Sequence, residues 1–99
     1  MPTDAEPAFF DRANAHINLS NDQMRHAAPG KVSASMMYAT ARFNTSLSAG
    51  SFATGAELAA HRSESIEYFV REYRLMLEEH LDDYIQNFEP YMKLARGGA

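Results

Sequence analysis

Residues 32 to 50 read VSASMMYATARFNTSLSAG, and between Lys31 and Glu57 the one charged side chain is Arg42. Val32, Met36, Ala39, Phe43 and Leu47 recur at steps of three and four, which lays an apolar stripe along one side of a helix. Met37 and Ala41 widen that stripe, with Ala34 and Tyr38 beside it. The remaining face is uncharged: Ser33, Ser35, Thr40, Asn44, Thr45 and Ser48. Small side chains four residues apart, Ser35 with Ala39 and Ala41 with Thr45, let another helix approach closely. Their hydroxyls can bond a carbonyl one turn earlier, so burial need not leave an unpaired donor. The stretch is too polar, and its apolar run too short, for a membrane span of about 20 residues. It reads as a central helix over residues 32–49, with Pro29-Gly30 stopping the helix before it and Gly50 ending it. Arg42, alone among apolar neighbours, is expected to meet a carboxylate or helix-end carbonyls.

Working outward, 99 residues favour one domain spanning 1–99, and an apolar share of 45% is too high for a disordered chain. With no cysteine there is no disulfide, thiolate zinc site or thiol nucleophile, which fits a reducing cytoplasm. The net charge is −4, so the clustered Lys and Arg that a phosphate backbone requires are absent, and nucleic acid is not an expected partner. MPTDAEPAFF is acidic and lacks the basic-then-apolar pattern of a signal peptide.

The first helix is expected over residues 6–28. Thr3 and Glu6 have capping-box spacing, Pro7 suits a first turn, and Phe9, Phe10, Ala13, Ile17, Met24 and Ala27 form the apolar face. Ser20-Asn21-Asp22 is its weak point, because these side chains compete for the backbone, and Ser20 with Gln23 could cap a restart. After the central helix, Thr54 and Glu57 form a second capping box. From residue 55 the helical pattern continues to 88, where Pro90 imposes an end. Its apolar stripe runs Leu58, Ile66, Phe69/Val70, Tyr73, Met76/Leu77, Leu81, Tyr84/Ile85 and Phe88, and Glu67 to Arg71 is a favourable i,i+4 pair. Residues 1–5 and 93–99 are expected to be disordered. The chain therefore reads as all-α, with three helices over 6–28, 32–49 and 55–88.

A third helix of that length spans about 50 Å, against about 33 Å and 26 Å for the other two. A hairpin of the first two cannot cover its stripe. Either it kinks or its C-terminal half packs on another copy, and the large residues toward its end favour the copy, since monomers rarely expose so large an apolar patch. The expected contact is a homodimer through Tyr73, Leu77, Leu81, Tyr84, Ile85 and Phe88.

Glu78, Glu79, Asp82, Asp83 and Glu89 occur with no Lys or Arg between Arg74 and Lys93. Like charges at i,i+4 repel, so local helix stability does not account for the run. A solvated acidic face, or one that meets a basic protein, explains it best. A divalent-cation site at Glu79, His80 and Asp83 would need ligands from His16, Asp22 or His26. His61 has ligand spacing to Glu57 and Glu64 but lacks the carboxylate-rich second helix of a di-iron bundle. No serine sits in a nucleophile elbow, and no glycine-rich loop follows a strand. A pocket for a small apolar molecule could form around Met36, Met37 and Phe43. The residues thus point to a non-catalytic interaction or structural protein without a cofactor.

Three segments together, FFDRANAHINLSNDQ (9–23), VSASMMYATARFN (32–44) and IEYFVREYRLMLEEHLDDYIQNF (66–88), resemble a small family of proteobacterial domains of unknown function. The resemblance runs from about Phe9 to Phe88. It implies a bacterial, soluble, single-domain protein and transfers no activity and no catalytic residue.

Overall fold

A computed structural model describes residues 6–96. Among them every regular element is helical: α1 (Pro7–Gln23), α2 (Pro29–Ala49), α3 (Gly55–Ala60), α4 (Arg62–Gln86) and α5 (Phe88–Ala95). Five helices replace the three expected, and each difference has a local cause. The chain divides into two compact units, the first ending at Ala59 and the second starting at Ala60.

In the first unit, α1 opens on Glu6, whose carbonyl accepts the Phe9 N–H at 2.9 Å and whose carboxylate meets Arg12 at 2.7 Å. The expected Thr3 cap lies outside the described residues. The helix runs unbroken through Ser20-Asn21-Asp22, so no restart occurs there. It stops at Gln23, five residues earlier than expected. The Arg25 and His26 N–H groups then donate three residues back, to Asp22 at 3.1 Å and Gln23 at 3.0 Å, a tightened turn that satisfies end carbonyls. Ala28 adopts an extended conformation (φ −63°, ψ 146°), the preference of a residue before proline.

Pro29 and Gly30 are the first two residues of α2, not a stop signal before it. Proline is favoured there because its missing N–H would be unpaired in any first turn and its fixed φ is already helical. Within α2 the small polar side chains bond back to the helix as their spacing suggests. Thr40 donates to the Met36 carbonyl at 2.9 Å, Thr45 to Ala41 at 2.8 Å, Ser35 to Val32 at 2.9 Å and Ser46 to Phe43 at 2.7 Å. The polar face of α2 thereby needs neither water nor a second helix for those donors.

Contact between α1 and α2 is anchored near the turn, where the Ser20 hydroxyl reaches the Met36 sulfur at 3.5 Å. Val32 is 5% exposed and is the one buried residue among those described. Farther along the same stripe, Phe43 and Leu47 are exposed. Arg42 is exposed too and makes no ion pair among the described residues, contrary to the expectation from its apolar setting.

Gly50 closes α2 with right-handed dihedrals (φ −64°, ψ −15°), so glycine is not required there for a left-handed turn. A β-carbon would meet the Leu47 and Ser46 carbonyl oxygens at 3.5 and 3.6 Å, ordinary contacts. Gly50→Ala should therefore raise stability by about 0.4–1 kcal/mol, by restricting the unfolded chain more than the folded one. Chemical denaturation of the two proteins checks the sign.

Thr54 caps α3 as its spacing foretells: its hydroxyl accepts the Glu57 N–H at 3.1 Å. The continuous third helix does not form. His61 (φ −106°, ψ 11°) and Asn87 (φ −117°, ψ 33°) interrupt it. The second break follows from Pro90. Its ring clashes with the carbonyl four residues back, so no single helix can run through Gln86 and Pro90 together. Placed three residues into a new helix, Pro90 loses nothing, because first-turn N–H groups have no partner anyway. Asn87 seals the junction, its side-chain amide donating to the Asp83 carbonyl at 3.1 Å and to the Asp83 carboxylate at 2.9 Å. Pro90 thus redirects the chain instead of ending it, and Lys93 to Ala95 belong to α5. The other expected tail residues, 97–99, and residues 1–5 lie outside the described structure.

Candidate functional site

The second unit is built on α4, 25 residues long and about 37 Å from end to end. None of its residues is buried. Seven of its apolar and aromatic side chains fall into rows of seven-residue spacing, two of which end on a polar residue: Ile66, Tyr73 and His80; Phe69, Met76 and Asp83; Val70, Leu77 and Tyr84. Seven residues make almost two helical turns, so the rows run side by side as one seam, the arrangement through which helices pair. The first two repeats are wholly apolar. In the third, two of the three positions are His80 and Asp83.

Of the interface residues expected from the sequence, Tyr73, Leu77 and Tyr84 lie in these rows and Leu81 borders them. Ile85 is displaced to the side, 74% exposed. Phe88 is the first residue of α5, with the Arg96 guanidinium 6.0 Å from its ring centre. On the flanks, Arg74 pairs with Glu78 at 3.6 Å, and Arg71 lies 5.9 Å from the ring centre of Tyr68 instead of pairing with Glu67. Both pairings are exposed, and the Arg74–Glu78 ion pair is worth a few tenths of a kcal/mol.

At the end of the seam, Asp83 is the centre of a side-chain cluster. The Tyr91 hydroxyl donates to its two carboxylate oxygens at 3.1 and 3.2 Å, alongside the Asn87 amide. The rings of Tyr84 and Tyr91 stack obliquely, centroids 4.7 Å apart. Asp83, Asn87 and Tyr91 are spaced by four, the one sequence signal that could have revealed this latch. These bonds orient the carboxylate expected to share a cation with Glu79 and His80. Among the described residues no group of three His, Cys, Asp or Glu converges as a metal would require.

The bond to Asp83 holds the Tyr91 phenol above the ordinary value of 10.0, with burial and the Asp83 and Tyr84 charges adding to the effect. A group whose pKa is raised on folding stabilises the fold below its unfolded value and ceases to do so as the pH climbs through its folded value. Docking of α5 should therefore weaken above about pH 10, and Tyr91→Phe should remove that component of the alkaline transition. Amide chemical shifts of residues 88–95 across an alkaline titration measure it. At the other end of the chain, the Arg12 hydrogen bond holds the Glu6 carboxyl below 4.5, a contribution present above that value and lost as the pH falls.

The first unit holds an open depression of about 450 Å³ lined by Gln23, His26, Ala27, Lys31, Val32 and Ser35. It lies at the α1–α2 turn and is not the expected pocket around Met36, Met37 and Phe43. Among the described residues no helix is long and apolar enough to cross a membrane.

These features define a small all-helical protein whose distinguishing surface is a heptad-spaced helix face. The chain belongs to the family described as a protein of unknown function, DUF3144, whose model matches residues 9–85. It is similar to a solved structure titled "NMR structure of the protein NB7890A from Shewanella sp", at 37% identity and a TM-score of 0.75, covering 91% of this chain and 96% of that one. No curated protein matches it.

Proposed function

We propose that the protein is a non-catalytic, cytoplasmic, self-associating helical protein in which two copies join through α4 and present the acidic run from Glu78 to Asp83 to solvent or to a basic protein partner. The observation that carries this reading is the face of α4. It has seven-residue rows of large apolar side chains, and no residue along its 25 is buried. Elsewhere among the described residues burial reaches Val32 and stops. A fold with so little interior of its own gains most by covering apolar area, at about 25 cal/mol per Å² removed from water.

If a second copy provides that cover, folding and association are linked and thermal stability depends on concentration. The midpoint of melting should climb by several degrees for each tenfold rise in protein concentration. A midpoint constant over a hundredfold range contradicts self-association as the source of stability. Activity is not needed for this role, and the latched Asp83 supports a structural use of the acidic run over a catalytic one.

A further inference from the structure

We propose that a second copy seats on the first two repeats of α4, from Ile66 to Leu77, and that α5 of the same chain closes the remaining end of the seam as a strap. This rests on the self-association reading above and shifts the contact toward the N-terminal half of α4.

Three observations set the boundary. The seam is apolar at Ile66, Phe69, Val70, Tyr73, Met76 and Leu77, of which Phe69 and Met76 are half-buried and the other four exposed, then turns polar at His80 and Asp83. At that point the chain supplies its own cover. Tyr91 bonds Asp83 and packs on Tyr84, and Asn87 holds the junction. Tyr91 and Met92 are half-buried, whereas Leu94 is 76% exposed, so α5 is covered at Tyr91 and Met92 and open toward its end. A partner helix continuing past Leu77 meets the place that Tyr91 occupies.

Charge sets the same limit. From Arg62 to Leu77, Arg62, Arg71 and Arg74 balance Glu64, Glu67 and Glu72. Two copies can approach there without net repulsion. From Glu78 to Asp83 there are four acids and no Lys or Arg, with Glu78 alone reached by Arg74. Bringing two such runs together places like charges side by side, which is unfavourable in any low-dielectric contact. The balanced half suits a second copy of the same chain, and the acidic half suits water.

The test compares full-length variants by sedimentation, with circular dichroism on each. Val70→Glu, in the proposed seat, should weaken the dimer by at least about a hundredfold. Val70→Ser, a milder change, should weaken it in the same direction. Tyr84→Glu and Tyr91→Phe, at the strapped end, should leave the dimer constant within about threefold while the Tyr91→Phe chain loses amide protection in residues 88–95. Dissociation by Tyr91→Phe, with helix content retained, overturns the proposal, because the second copy then depends on the end that α5 covers. An unchanged dimer in both Val70 variants overturns it as well. A wild-type chain that sediments as a monomer instead removes the self-association reading beneath it, so the two failures are distinguishable.

Discussion

Leu77→Glu should convert the protein from dimer to monomer at micromolar concentration. Leu77 sits in the second repeat of the α4 seam, beside Tyr73 and Met76. In the assembled state a carboxylate there is taken out of water, with Arg74 the one Lys or Arg within a turn on its own helix. Arg74 is already committed to Glu78 at 3.6 Å. An uncompensated charge in such a contact costs about 3–5 kcal/mol, and the lost leucine burial adds about 1.5–3 kcal/mol. At about 1.4 kcal/mol per tenfold, the dissociation constant should rise by a factor of about a thousand or more. The contrasting variant is Ile85→Glu. Ile85 is 74% exposed and lies off the seam, so its substitution should leave the mass unchanged. Light scattering of both proteins separates a specific contact from general loss of apolar surface.

Val32→Asp should unfold the α1–α2 hairpin. Val32 is the buried residue beside the α1–α2 turn, 5% exposed, one helical turn from the Ser20–Met36 contact. Removing it forfeits about 1.5–3 kcal/mol of burial, and a carboxylate in its place adds a desolvation penalty of several kcal/mol. The two costs together compare with the whole stability of a small domain, about 5–15 kcal/mol. Val32→Ala, which leaves a smaller defect and no charge, should cost about 1–2 kcal/mol and still fold. The far-ultraviolet dichroism should fall in the Asp variant by the share of α1 and α2, with the α4 signal surviving only if the second unit holds without the first.

Much of this architecture is visible in the residues alone, for reasons tied to particular positions. Stripes at steps of three and four give the helices away, because an apolar side must recur with the helical period. The Thr54 cap is readable because a hydroxyl three residues before Glu57 has one obvious use. The back-bonded hydroxyls of Thr40 and Thr45 follow from their spacing to Met36 and Ala41. The breaks are harder. His61 leaves the helix through backbone dihedrals (φ −106°, ψ 11°) that no side-chain pattern announces. Pro29 and Pro90 are visible as signals but ambiguous in meaning. Proline both forbids a helix interior and favours a first turn, and in each case the chain uses the second property. Arg42 misleads for a different reason. A charge among apolar residues finds a partner when the segment is buried, whereas α2 is open to water along most of its length. The Asp83–Tyr91 latch depends on the bend at Asn87, so it stays hidden while residues 55–88 are read as one straight helix.

The central claim is that one chain lacks part of its interior and a second copy supplies it. Sedimentation equilibrium of the wild-type protein at micromolar concentration, at neutral pH and moderate salt, tests it most directly. A mass of twice 11.1 kDa, falling toward a single chain only on strong dilution, is the predicted result. A single species of 11.1 kDa with full helix content at every concentration contradicts it.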